Sequence, residues 1–227
     1  MLNYEVEPAL LAPLVPFGTE LDAWRGRTHV SVVGFLFLDT RVLGLRIPSH
    51  TDFEEVNLRF YVRRKAGNEW RRGVVFVKEL VPRWAIAFVA RTLYGERYVS
   101  LPMGHRIELG EHGEPSSVSY TFRHAGREGR LELVAEPGPR PLEPGSEEEF
   151  IAEHYWGYAM RRNGSTTEYA VEHPPWRVCP AADARLDADV AAVYGERFVE
   201  ALSARPSSAL LAEGSAVTVR KGVPVVP

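Results

Sequence analysis

Residues 52–80 read DFEEVNLRFYVRRKAGNEWRRGVVFVKEL. Asp52 to Glu55 leads into an alternating run in which Asn57, Arg59 and Tyr61 fall on one side of an extended chain. Leu58, Phe60 and Val62 fall on the other, because successive strand side chains point to opposite faces. Ala66-Gly67-Asn68-Glu69 makes a turn, and Trp70 to Leu80 runs extended again, so the spacing predicts an antiparallel hairpin. On the returning strand a regular alternation groups Val74, Phe76 and Lys78 on one face and Val75, Val77 and Glu79 on the other. This hairpin makes antiparallel sheet the organising element of the fold.

Reading backwards, Thr28 to Leu38 is apolar on both faces and predicts a strand buried on both. Gly44 to Thr51 is a Pro/Gly loop, and residues 1–27, with Pro8, Pro13 and Pro16, read as an irregular lead-in. Reading forwards, Pro82 opens and Gly95 closes a helix whose apolar stripe is Trp84, Ala85, Phe88, Val89 and Leu93. Val118, Tyr120 and Phe122 alternate with Ser119, Thr121 and Arg123, and Gly126 to Gly129 turns the chain into a strand over Arg130 to Ala135. Glu136 to Gly145, with four prolines, is a loop. Ser146-Glu147-Glu148-Glu149 is a capping box that opens a short helix ending near His154. Asn163-Gly164 joins strands at about 155–162 and 168–173. After Pro174-Pro175, Val178-Cys179-Pro180 reads as a strand end, Asp187 to Leu202 as a helix, and Ala216 to Val219 as a closing strand. The pattern is one α+β domain of antiparallel hairpins, with no repeat and no dividing linker.

The composition bounds the function. Twenty-four arginines and three lysines nearly balance 30 acidic residues, for a net charge of −3, and no half of the chain has the basic excess that coats nucleic acid. At 45% hydrophobic and 25% charged the chain is in the range of ordinary globular proteins. The single cysteine, Cys179, excludes an intrachain disulfide and a cysteine-based metal site. The N-terminal residues lack signal-peptide character and no apolar run reaches the roughly 18 residues of a membrane span, so the expected location is the cytoplasm.

Several stretches together carry a resemblance. They are Asn57 to Val62, Gly73 to Phe76, Ala90-Arg91, Tyr98 to Met103, Glu153 to Tyr158, and Glu172 to Val178. In these the chain resembles the YqjF-like bacterial proteins of the DUF2071 family, over about residues 14–219. That family is similar in outline to acetoacetate decarboxylase, which implies a curved antiparallel sheet or closed barrel around an apolar cavity, with a few helices packed outside. The decarboxylases form an imine on one of two adjacent lysines, activated by desolvation or a neighbouring cation. The matching stretch here, Tyr94 to His105, holds Pro102 but no lysine, and Met103-Gly104 stands where the pair would be.

Of the three lysines, Lys65 adjoins a turn and Lys221 lies in the C-terminal tail. Lys78 is left as the one candidate amine, either reactive at the end of an apolar strand face or snorkelling at the sheet rim. Glu79 and His154 join it as candidates for acid–base work. Arg59 is the candidate anion anchor, either holding a ligand carboxylate bidentately or paired with an acid such as Glu79. Tyr61, Met103, Tyr120, Tyr158 and His173 complete the expected ligand contacts, with His105 and Arg106 near the same mouth. Glu153, His154, Glu172 and His173 match no zinc spacing, so neither metal nor cofactor is expected. The readings are a binder of a small apolar or carboxylate-bearing metabolite, or a diverged decarboxylase-like enzyme acting on a carbonyl compound. The only partners expected are a small-molecule ligand and a second copy in a homodimer.

Overall fold

The chain begins with a strand where an irregular lead-in is expected. The computed structural model describes residues 1–42, 45–46, 52–82, 98–111 and 113–225. In it β1 (Leu2–Val6) precedes a short helix α1 (Pro8–Leu11) and β2 (Glu20–Leu21). Leu2, Tyr4 and Val6 alternate into the core while Asn3 and Glu5 face the other way, and β1 pairs with Thr28–Val32. There follow β3 (Thr28–Phe37), β4 (Arg41–Val42), β5 (Leu45–Arg46), β6 (Phe53–Ala66), β7 (Glu69–Val81), β8 (Tyr98–Ser100), β9 (Met103–Leu109), β10 (Pro115–His124), β11 (Arg127–Ala135) and β12 (Arg140–Pro141). After α2 (Glu147–Ala152) come β13 (Trp156–Met160), β14 (Thr166–Glu172), β15 (Arg177–Asp187), α3 (Val190–Tyr194), α4 (Val199–Ser203), β16 (Ser208–Ala212), β17 (Thr218–Val219) and β18 (Val223–Val225). The helix expected over 82–95 falls outside the described residues but for Pro82.

The strands other than β4 and β5 make one curved, mostly antiparallel sheet, with its main path running β17-β14-β13-β7-β6-β3-β1-β16-β15-β11-β10-β9. The α+β class stands, with few and short helices. The barrel does not: among the described residues β17 and β9 are two ends of an open path. Side chains fill the hollow of this curve. Val30, Val32, Val56, Leu58, Phe60 and Val62 meet Tyr120, Phe122, Leu131 and Leu133, with Val190, Val193, Tyr194, Phe198 and Leu202 of the C-terminal helices in the same cluster. A smaller cluster of Tyr61, Val74, Phe150, Ile151, Val178 and Leu210 lies between the other face of β6–β7 and α2.

Three further expectations change. Cys179 is not at a strand end but near the start of the eleven-residue β15, between β11 and β16. The single helix over 187–202 is broken at Gly195, whose φ of 101° is open to glycine and strained for other residues. The Glu136–Gly145 loop holds one two-residue pairing, Arg140–Pro141 against β15. The capping box forms with a variation. Ser146 Oγ accepts from Glu149 N at 3.1 Å, while the Glu149 carboxylate takes the N–H of Gly145, at 2.6 Å. Among the described residues no helix is long and apolar enough to cross a membrane.

The parallel contact between β7 and β13 depends on Gly73. A Cβ there would lie 2.6 Å from the Trp156 carbonyl oxygen and 2.7 Å from the Tyr158 ring. Gly73→Ala is expected to lower unfolding stability by about 1–3 kcal/mol, measured as a drop in the urea midpoint at unchanged slope.

Candidate functional site

The hairpin β6–β7 does not keep a regular register. Phe60 faces Val75 and Arg59 faces Phe76, but Leu58 faces Lys78 and Asn57 faces Glu79, so Val77 is an extra residue in β7. Cross-strand partners share a face of the sheet, and an extra residue exchanges the faces of everything beyond it. Regular alternation would have put Lys78 beside Arg59. The bulge instead sets Lys78 level with the core residue Leu58 and brings Glu79 onto the face of Asn57, Arg59 and Tyr61.

That face is polar and buried. Asn3 of β1, Ser31 of β3, Glu55, Asn57 and Tyr61 of β6, Glu79 of β7 and His154 after α2 are all almost without solvent exposure, His154 being the most exposed at 6%. The strands position them: Asn3 is paired with Ser31, Ser31 with Arg59, and Asn57 with Glu79. At one end the groups satisfy one another. Tyr61 Oη and Ser31 Oγ are 2.6 Å apart, Ser31 Oγ donates to Asn3 Oδ1 at 2.7 Å, and Asn3 Nδ2 donates to Ser208 Oγ at 3.0 Å. Ser208 in turn donates to Glu147 of α2 at 2.6 Å. At the other end Asn57 Nδ2 donates to Glu55 Oε1 at 3.0 Å.

Arg59 lies between the two ends. Its guanidinium donates to the Ile151 carbonyl at 3.1 Å, contacts Met1 Sδ at 3.7 Å and lies 5.7 Å from the Tyr61 ring centre. It has no carboxylate within ion-pair reach among the described residues, and its buried Nε has no hydrogen-bond partner there. The structural pairing of Arg59 with Glu79 is therefore not made. His154 packs at 4.7 Å from the Tyr61 ring and 5.6 Å from Phe150, with neither ring nitrogen hydrogen-bonded among the described residues. Burial is the main reason that its pKa sits well below the ordinary 6.5, and the Arg72 and Arg59 charges lower it further. The Ile151 carbonyl opposes them from outside hydrogen-bond geometry.

The other expected site residues lie elsewhere. Tyr120 (β10) pairs with His105 (β9) on the core face, where Met103 is also packed, and burial raises the Tyr120 pKa. His105 Nδ1 is 2.7 Å from Glu54 Oε1, a contact that ties the end strand β9 back to β6. Tyr158 is in the main core, its hydroxyl donating to the Arg71 carbonyl at 3.3 Å. His173 is stacked between Tyr155 (4.9 Å) and Trp176 (4.1 Å). Cys179 is buried and its thiol pKa is raised by burial, which opposes a thiolate role. Among the described residues no group of three His, Cys, Asp or Glu side chains could hold a metal ion. The site thus unites Glu79, Arg59, Tyr61 and His154 and adds Asn3, Ser31, Glu55 and Asn57. A signal for the added groups is present in the sequence: Ser31 interrupts an apolar strand, and Glu55, Asn57 and Arg59 recur at every second position.

The family model DUF2071, described as an uncharacterized conserved protein, matches residues 1–216. The uncharacterized protein YqjF of Bacillus subtilis (strain 168) is 26% identical over 177 residues, covering 77% of this chain and 69% of that protein. Acetoacetate decarboxylase from Legionella pneumophila subsp. pneumophila superposes with a TM-score of 0.60 at 12% identity, over 99% of this chain and 83% of that one. The enduracididine biosynthesis enzyme MppR, complexed with pyruvate, gives 0.60 at 12% identity, over 98% and 86%. At such identities the two structures establish a shared fold.

Buried neutral histidine makes stability depend on pH. Below about 6.5 the imidazole of the unfolded chain takes up a proton that the folded one refuses, so the unfolded state binds more protons and stability falls as pH falls through that range. His29, also buried and shifted down, acts in the same direction. Unfolding free energy is expected to drop between pH 7 and pH 5 with a slope of up to about 1.4 kcal/mol per pH unit per histidine. In His154→Phe, which keeps the ring packing, the slope should be shallower by up to that amount; an unchanged slope would refute the assignment.

Proposed function

The chain belongs to the DUF2071 family, and we propose that the buried polar face of β3, β6 and β7 binds a small carboxylate-bearing metabolite of the oxo-acid class, anchored on Arg59. The observation that carries this reading is an arginine set among buried polar side chains, with no carboxylate partner among the described residues and a buried Nε without an acceptor. A guanidinium stays protonated under all ordinary conditions, and its fork matches a carboxylate bidentately. Asn57 Nδ2, which gives one hydrogen to Glu55, has a second to offer an oxygen of such a ligand, while the Ser31 and Tyr61 hydroxyl protons are engaged in their own chain. The neighbouring fold gives the probe, since MppR is complexed with pyruvate.

A second reading rests on Glu55 and Glu79, both buried on this face. Carboxylates held there can move protons to or from a bound carbonyl compound, so the site suits acid–base turnover without an imine. Lys78, set level with Leu58 by the bulge, is not given the nucleophile's part.

Calorimetric titration with pyruvate and a panel of longer oxo acids tests the binding. Arg59→Gln should weaken it by about 10- to 100-fold, the worth of a charge-assisted pair, while a thermal melt confirms folding. Equal affinity in the variant, or no binding by any member, rejects the site. Borohydride treatment in the presence of the same acids should leave Lys78 unmodified; an adduct lost in Lys78→Ala would restore the imine mechanism. Turnover of any bound acid that disappears in Glu79→Gln while affinity persists selects the enzyme over the binder.

A further inference from the structure

We propose that β9 is a self-pairing edge by which two copies of this chain associate, antiparallel, about a two-fold axis at Ile107. Among the described residues β9 is the last strand of the sheet path and pairs only with β10. Its outer row of backbone N–H and C=O groups has no strand partner among the described residues. His105 to Leu109 are five consecutive exposed residues, and two of them are aliphatic, Ile107 at 38% and Leu109 at 63% exposure. Exposed edges are ordinarily blunted by charges that repel or misalign an incoming strand. On β9 the charges do the opposite for one partner, because they are self-complementary.

The sequence across the axis is Arg106-Ile107-Glu108. A two-fold at Ile107 sets Arg106 opposite Glu108 of the second copy and Glu108 opposite its Arg106, on the face that also holds Ser117 and Ser119 of β10. On the other face Ile107 meets Ile107, and His105 meets Leu109. A parallel arrangement in register would set like charges together. A slip of one residue would place Ile107 against a charge and turn the second copy's faces over. Within one copy Arg106 Nη2 and Glu108 Oε1 are already 2.8 Å apart, but at 77% and 51% exposure this pair is solvent-screened and readily exchanged for two pairs across the axis. The contact is isologous, as a closed dimer requires.

Sedimentation velocity over a range of protein concentration reads the association. The wild type should pass from monomer to dimer as concentration rises. Arg106→Glu and Glu108→Arg should each weaken association by about tenfold or more, since the symmetry counts every reversal twice and like charges directly opposite are destabilising. The double reversal Arg106→Glu/Glu108→Arg restores complementarity and should return the dimer toward wild-type affinity. Ile107→Pro, which removes a backbone donor at the axis, should leave a monomer, with circular dichroism confirming the fold. A chain monomeric at every concentration, a dimer indifferent to both single reversals, or a double reversal no better than the singles would each overturn the proposal.

Discussion

One extra residue in β7 decides which side chains share the buried polar face. Val77 interrupts the ladder between the Leu58 and Arg59 levels of β6, and everything beyond it changes sides. A strand bulge costs local pairing and is kept where it re-aims side chains. Here the pair re-aimed is Lys78-Glu79. Without the bulge an amine would stand beside Arg59, and a second buried cation there would carry a large desolvation cost. With it a carboxylate enters the buried face and the lysine is moved to the level of the aliphatic core. Which side chains share the Arg59 face follows from that one exchange.

The buried face is unevenly satisfied, and the unevenness is informative. From Tyr61 through Ser31, Asn3 and Ser208 to Glu147 each group has a partner at 2.6–3.0 Å. Such a chain anchors α2 to the sheet. Arg59 Nε and Asn57 Oδ1 on the same face, and both nitrogens of His154 packed on Tyr61, have none among the described residues. An unmade buried hydrogen bond costs about 1–3 kcal/mol, so a chain selected for stability alone would have filled those positions with apolar residues. Buried polar atoms without partners are rare in folded proteins and call for a reason other than packing.

The sequence made the hairpins legible because turn chemistry and period-two alternation are local. Ala66 to Glu69 and Asn163-Gly164 turn where their residues demand. It did not make the bulge legible. Nothing in Gly73 to Leu80 distinguishes Val77 from its neighbours, since the extra residue is defined only against the opposite strand. The face assignments of Lys78 and Glu79 failed for that reason, while those of Arg59 and Tyr61, on the unbulged strand, held. β15 was hidden differently. Ala181, Ala182 and Ala184 have poor strand propensity and Pro180 lacks a donor, yet pairing with β11 on one side and β16 on the other overrides local preference. Chain closure is equally non-local: that β9 approaches β6 through His105 and Glu54 without joining the ladder cannot be read from either segment.

The ratio of arginine to lysine gains a physical meaning from this arrangement. A lysine half-buried at position 59 would be free to lose its proton, as buried amines do, and would then serve as a nucleophile. An arginine at the same place keeps its charge and cannot attack a carbonyl, but it holds an anion in a fixed geometry. In acetoacetate decarboxylase the chemistry starts from a neutral amine. Here the buried nitrogen facing the polar compartment belongs to a permanent cation, with Glu55 and Glu79 buried on the same face. A fold shared with the decarboxylases thus carries an arginine on its buried polar face, with Lys78, the lysine at this hairpin's bulge, set at the level of Leu58 on the other.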